Sequence, residues 1–252
     1  MSLLVDLGNT RLKWAQVGAD ERLGEVRAVA HDGDVARAVQ RIDAGAVEAV
    51  RVASVGGPAL NAALRDALRH RFGCEVLFAE TRAECAGLHV AYADPSRLGV
   101  DRWLAMLGVW RQQRGAFCVV SAGTALTFDA VDADGRHLGG LIAPGVTTMA
   151  ESVLGRTRFP ADSLPEAAGP ALGTDTESCV AQGALHAALG LIDRAAAGAK
   201  GLNARDSIKI YHVIPKISPL NKSALQGVDA PRNYSTVLPA VTKGQELRRR
   251  VL

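Results

Sequence analysis

Aromatic residues make up only 4% of the 252 positions, histidines number six, and cysteines four. The cysteines, Cys74, Cys85, Cys118 and Cys179, stand far apart and never as C-x-x-C. That excludes a disulfide framework, gives no ground for a zinc site, and fits a reducing, cytoplasmic setting. His89, His137 and His186 fall on separate elements with no i, i+4 partner, so each reads as a surface or packed residue and none as a metal ligand. Trp14, Trp103 and Trp110 lack the interleaved basic residues of a nucleic-acid stacking platform and read as core or interface aromatics. An excess of one sign of charge is lacking too: the net charge is +3, and no block of like charge precedes "RRR" at 248–250, which argues against a nucleic-acid partner. No run of about 18 apolar residues occurs, and no basic segment precedes an apolar stretch at the start, so neither a membrane span nor a leader peptide is expected. Neither G-x-x-x-x-G-K-[ST] nor a G-x-G-x-x-G after a strand is present, which removes the P-loop and the dinucleotide fingerprint.

What is present suits a globular α/β chain. At 48% hydrophobic and 22% charged it has material for a core, and its length lies between one large domain and two small ones. Apolar patterning predicts strands at 2–7, 11–17, 25–30 and 49–55, and helices in "GDVARAVQRI" and "PALNAALRDALRHRFG". The second helix has Pro58 early and Gly73 just past its end. "CEVLFA" returns to strand, and "DPSRLGVDRWLAMLGVWRQQRG" reads as a turn and a helix with Leu104, Leu107 and Trp110 on one face and Gly115 as its stop. Strands at 116–121, 125–131 and 137–142, helices near 145–154 and 174–198, and a strand in "DSIKIYHVIP" complete the pattern.

A weak repeat organises these elements. "LLVDLGNTRLKWAQV" set over "CVVSAGTALTFDAVD", at an offset of 115 residues, gives twice an apolar strand, a small or acidic residue, x-Gly, and a second strand. Two such β-turn-β units, each followed by helices, imply a duplicated α/β fold whose similar domains, 1–114 and 115–252, face each other across a cleft. Two unrelated glycine hairpins would align in the same way, so the repeat by itself leaves both origins open.

In the first hairpin Gly8 makes a tight turn whose backbone N–H groups can approach an anion. Asn9 and Thr10 add side-chain donors, Lys13 a point charge, and Asp6 a carboxylate of the kind Mg²⁺ prefers beside substrate phosphates. An ordinary hairpin with an Asx-type turn fits the same four letters.

Four stretches narrow the choice. "DLGNTRLKWA" at 6–15, "DPSRLGVDRW" at 94–103, "SAGTALTFD" at 121–129 and "GGLIAPG" at 139–145 stand in the order and spacing of the type III pantothenate kinases, and from residue 3 to about 195 the sequence resembles that family, which also includes proteins named Bvg accessory factor. The resemblance implies the duplicated actin, hexokinase and acetate kinase fold, and ATP-dependent phosphorylation of pantothenate to 4'-phosphopantothenate, the first step towards coenzyme A. It implies a homodimer with the active site near the partner subunit, Mg²⁺ with the ATP, and a monovalent cation, K⁺ or NH₄⁺. By position, Asp6 matches the Mg²⁺-associated acid, Gly8, Asn9, Thr10 and Lys13 the first phosphate turn, and Gly123 and Thr124 the second. Asp101 matches the catalytic base; Tyr92, Gly99, Arg102 and Thr176 match the pantothenate pocket. A base suits the chemistry, since the attacking hydroxyl must lose a proton, and such a group contributes about 10²–10⁴ in rate. Arg102 offers a planar fork to the substrate carboxylate. Thr176 shares "LGTDTESCVAQG" with Thr174, and either threonine also fits a helix N-cap.

The sequence departs from the family pattern twice. Ser121 stands where many members carry an aspartate, which weakens the expected cation site. Asp129 offers another carboxylate, although a solvated strand-end acid is the plainer reading. The second departure is in lysine. Lys13 alone precedes residue 200, whereas Lys200, Lys209, Lys216, Lys222 and Lys243 follow, together with Asn203, Asn221 and Asn233. Only a faint "QGVDAP" at 226–231 stands where the family has its "TGG" turn. A surface tail and a foreign C-terminus both fit that change. Two other readings of the whole chain stay open: a kinase of another small hydroxy acid or sugar, and a non-catalytic accessory or regulatory protein on the same scaffold.

Overall fold

Along "SLLVDL" buried and half-buried residues alternate, with Leu3, Val5 and Leu7 inside, so the segment needs a packed layer on one face and a partner strand along each edge. Both are found in the computed structural model of the chain, which describes residues 1–18, 23–112, 115–156, 172–202, 209–213 and 237–240. β1 (Ser2–Leu7) pairs antiparallel with β2 (Arg11–Val17) and parallel with β4 (Ala49–Ser54). β3 (Arg27–Ala30) flanks β2 and β5 (Glu75–Phe78) flanks β4, giving the order β3-β2-β1-β4-β5. Parallel neighbours need crossovers, and α1 (Val35–Gln40) and α2 (Pro58–Phe72) make them while packing on each other. Val35, Val39, Leu64 and Leu68 join Leu3, Val5, Leu7 and Leu12 in one core. α2 keeps the punctuation expected of it: Pro58 stands in its first turn, and Gly73, at φ 63°, closes it by donating its N–H to the Arg69 carbonyl at 2.9 Å.

Two short strands, β6 (Glu84–Cys85) and β7 (Leu88–His89), form a small hairpin that the sequence does not announce. A 3₁₀ turn at Pro95–Arg97 leads into α3 (Val100–Gln112). The buried stripe of α3 runs through Trp103, Met106, Val109 and Trp110, whereas Leu104 and Leu107, expected on the inner face, are only half-buried. This helix is apolar around most of its circumference, so a spacing of three fits more than one stripe. Trp14, Trp103 and Trp110 are core residues, between 4% and 7% exposed.

The second sheet contains β8 (Phe117–Ala122), β9 (Ala125–Val131), β10 (His137–Pro144), β11 (Lys209–Val213) and β12 (Val237–Ala240), in the order β10-β9-β8-β11-β12. It repeats the first: a three-strand antiparallel meander, then a strand parallel to its opening member. A shift of 115 residues carries β1 onto β8 end to end. The copies differ at the last strand, since β5 runs parallel to β4 and β12 antiparallel to β11. α4 (Val146–Leu154) and α5 (Thr176–Leu202) pack together, and Ala188, Ile192 and Ala196 of α5 share a core with Val120, Leu126 and Phe128. By internal contacts the chain forms two compact units. The first holds Met1–Arg82 and Asp94–Leu104; the second holds Ala83–Ala93, the described part of Ala105–Pro215, and β12. Among the described residues none of the four cysteines forms a disulfide, and no helix is long and apolar enough to cross a membrane. The strand expected in "DSIKIYHVIP" is β11, whereas "QGVDAP" lies outside the described residues.

One polar pair is buried in the second unit. Asp129, expected as a solvated acid, is 1% exposed, and its Oδ1 lies 3.0 Å from His137 Nε2. His137 Nδ1 faces the Ala91 N–H at 3.5 Å, which assigns the ring proton to Nε2 and makes Asp129 the acceptor. Replacing His137 by Leu removes the donor facing a buried carboxylate and is expected to lower stability by roughly 3–5 kcal/mol. Asp129→Asn, which still presents an Oδ1 to Nε2–H, is expected to lose clearly less. Urea unfolding of the two variants beside the wild type measures the difference.

Candidate active site

In the first unit the antiparallel register sets Asp6 of β1 directly opposite Lys13 of β2, and Lys13 Nζ donates to Asp6 Oδ2 at 3.1 Å. The side chains are 42% and 20% exposed, and so accessible a pair contributes little to stability. Asp6 therefore keeps oxygen lone pairs for a cation and Lys13 keeps N–H donors for an anion. Between the strands the turn closes through the Gly8 N–H, which donates to the Arg11 carbonyl at 3.0 Å, leaving Asn9 and Thr10 exposed. The chain's own packing does not demand glycine here. A Cβ at Gly8 would meet only the Arg11 carbonyl, at an ordinary 3.5 Å, so the missing side chain opens the outer surface of the turn.

Asp101 stands in the first turn of α3, and its Oδ1 accepts the Arg102 N–H at 2.8 Å. A Cβ on Gly99 would lie 2.6 Å from that same Oδ1. Gly99, matched to the pantothenate pocket by resemblance, thus has a second duty in making room for the carboxylate. The residue as a whole stays accessible, yet its carboxyl is crowded by protein atoms, and this desolvation is the largest influence on it, raising its pKa above the usual aspartate range. The Arg102 N–H pulls the other way, the charge of Asp6 adds to the rise, and the Arg102 guanidinium opposes it. Arg102 itself is buried.

The second unit holds the other group. Gly123 and Thr124 form the turn between β8 and β9, with the Gly123 N–H donating to the Ala125 carbonyl at 3.0 Å. The Thr124 carbonyl accepts from both the Gly145 N–H and Thr148 Oγ1, each at 2.8 Å. Gly145 has no space for a side chain, because a Cβ would collide with the Gly123 carbonyl. α4 therefore begins against this turn with no side chain capping it, and the first N–H groups of a helix suit an anion. Ser121 lies one pleat before the turn, opposite Thr127. Tyr92 stacks on His137 with ring centroids 6.2 Å apart and planes within 12°. Thr176 is the first residue of α5 and is exposed, but neither it nor Thr174 caps the helix. The cap is Asp175, whose Oδ1 accepts the Ser178 N–H at 2.7 Å, while Ser178 Oγ accepts from the Thr174 and Asp175 N–H groups. These hydrogen bonds hold the Asp175 carboxyl below its ordinary pKa.

Among the described residues no three His, Cys, Asp or Glu side chains gather as a metal cluster. Asp6, a half-exposed carboxylate, fits the sparse protein share that Mg²⁺ takes when phosphates supply the rest of its shell. The second turn fits a cation less well, since Ser121 is neutral and Asp129 is committed to His137. Sequence reasoning missed two supports, Gly145 and His31; only Gly145 had a signal, as the last letter of "GGLIAPG".

A sheet order used twice, a glycine turn opening each copy, and a crowded carboxylate at a helix start make this a duplicated α/β protein of the class expected from the sequence. The fold matches a crystal structure of a Baf family protein from Campylobacter jejuni, with TM-score 0.52 and 18% identity over 84% of this chain and 83% of that one. The family model for type III pantothenate kinase matches residues 2–198. A type III pantothenate kinase from Stenotrophomonas maltophilia (strain K279a) is 42% identical over 197 residues, 77% of each chain, and one from Xanthomonas oryzae pv. oryzae (strain PXO99A) is 42% identical over 195 residues, 76% of each. The chain belongs to the type III pantothenate kinase family. The family match ends at 198, just before Lys200 opens the lysine-rich segment.

Gly99→Ala is expected to displace the Asp101 carboxylate and lower kcat by about 10²-fold while leaving the thermal midpoint near that of the wild type. Steady-state kinetics beside a melting curve check both.

Proposed function

We propose that the protein transfers the γ-phosphoryl group of ATP to the primary hydroxyl of pantothenate, giving 4'-phosphopantothenate, with Asp101 as the base. The observation that carries this reading is the Asp101 carboxyl itself: desolvation raises its pKa towards a value useful in proton transfer, and Gly99 leaves it space. The hydroxyl oxygen attacks the γ-phosphorus, its proton passes to Asp101, the bond to the β–γ bridging oxygen breaks, and ADP leaves. Most of the acceleration in such a reaction comes from positioning and charge neutralisation. In this reading Gly8, Asn9, Thr10 and Lys13, and Gly123 and Thr124, are the phosphate contacts. Asp6 would hold Mg²⁺, which with ATP neutralises phosphate charge. Arg102 and Thr176 address the pantothenate carboxylate, and Tyr92 and Gly99 shape its pocket. The protein acts in the cytoplasm as a homodimer. Leu138, Leu141 and Ile142, exposed on the edge strand β10, support a second copy as partner.

Asp101→Asn is expected to lower pantothenate phosphorylation by about 10²–10⁴ and at the same time to raise the melting temperature. The raised pKa means that the fold disfavours the ionised form. The contribution of Asp101 to stability is present in full below the unfolded carboxylate pKa and is lost as pH rises through the raised folded value, a loss that asparagine does not incur. No product from folded wild-type protein would remove the kinase reading and favour a non-catalytic accessory role. Product from another small hydroxy acid or sugar alone would move the substrate.

Ser121 supports a weak monovalent-cation requirement. The ratio of rates in K⁺ and Na⁺ is expected to lie near one for the wild type and to rise in Ser121→Asp, where a carboxylate joins the second turn.

A further inference from the structure

His31, directly after β3, is 6% exposed and has every polar atom engaged on the first turn or on its own bend. Its backbone N–H donates to the Thr10 carbonyl at 3.2 Å, and its Nε2 lies 3.0 Å from the Gly8 carbonyl. Its Nδ1 accepts the Gly33 N–H at 3.1 Å. That third contact settles the tautomer, because a ring nitrogen facing a backbone N–H must carry the lone pair; the proton is on Nε2, which donates to Gly8. The bend is built for it. Asp32 at φ 46° and Gly33 at φ 84° both lie in the left-handed region, turning the chain so that the Gly33 N–H meets the imidazole, while the Asp34 N–H closes onto the His31 carbonyl at 2.6 Å.

The consequence lies in the peptide planes. In a trans peptide the C=O and the following N–H point in opposite directions, and no peptide bond among the described residues is cis. A Gly8 carbonyl fixed inward on His31 therefore aims the Asn9 N–H to the opposite, exposed side of the turn. Glycine alone would not hold that plane, since its backbone adopts either orientation at little steric cost. We infer that His31 is a positioning residue that locks the Gly8 peptide and so presents the Asn9 N–H to the phosphates of ATP. This rests on the reading of the turn at 8–10 as a phosphate contact.

Three variants separate the roles of the ring. His31→Gln carries an amide N–H to the reach of Nε2 and keeps the donor to Gly8. His31→Asn keeps an acceptor for Gly33 but has no donor that reaches Gly8, and His31→Leu removes both. MgATP binding by calorimetry is expected to weaken about five- to tenfold in the Asn and Leu variants and to stay within about twofold in the Gln variant. The KM for ATP should follow, with the KM for pantothenate unchanged. Wild-type MgATP affinity in His31→Asn would overturn the inference, as would a parallel rise in both KM values or a Gln variant as weak as Leu. Should the Asn and Leu variants fail to fold, the Gln variant decides: a wild-type KM for ATP upholds the role and a raised one removes it. Wild-type protein that binds no MgATP would remove the phosphate reading itself.

Discussion

A carboxyl group crowded by protein atoms and near a second carboxylate is the constraint around which the first unit is arranged. Desolvation and the charge of Asp6 both act against the ionised form of Asp101. Each neighbour relieves part of that burden without removing it. The Arg102 N–H satisfies Oδ1, Gly99 withholds a side chain that would crowd it, and Lys13 sits opposite Asp6. The arrangement leaves the folded state less stable, where the carboxyl is ionised, than it would be with a neutral group at this position.

The two glycine turns are held by equivalent backbone donors and by different side chains. Both come at the same point of equivalent sheets, and both have carbonyls held by hydrogen bonds from outside the turn. At the first turn an imidazole and a backbone N–H from the bend after β3 hold the Gly8 and Thr10 carbonyls. At the second, the start of α4 holds the Thr124 carbonyl through Gly145 and Thr148. Both supports begin at the residue that follows the third strand of its copy, His31 after β3 and Gly145 after β10, so the repeat reaches the backbone N–H that holds each turn and ends at the side chains beside it, an imidazole in one copy and a threonine hydroxyl in the other.

The same distinction governs what could be read from the sequence. β1, β2, β9 and the limits of α2 follow from alternation and from Pro58 and Gly73, all local signals. The site residues were legible only through motif resemblance, since an Asp, a Gly turn and an Arg have many ordinary uses. The buried face of α3 was not legible, because Trp103 and Leu104 are equally apolar and nothing local ranks them. The α5 cap was missed because Asp175 with Ser178 competes with Thr174 and Glu177 at the same spacing, and only the folded backbone chooses between them. His31 meets Gly8 across 23 residues of chain, a contact that no periodicity encodes.

Asp129 gives the clearest case of a residue whose type suggests one role and whose surroundings supply another. Near a phosphate turn whose usual acid is replaced by Ser121, it looks like a substitute ligand for a cation. It is instead buried, accepts from His137 Nε2–H, and through that ring supports the stacked Tyr92. A carboxylate that turned to a cation would leave the Nε2–H of a buried imidazole without its acceptor, a loss comparable with the interaction gained. The fold therefore ties this carboxylate to the ring on which Tyr92 stacks, and at the second turn the groups that remain are backbone N–H groups and hydroxyls.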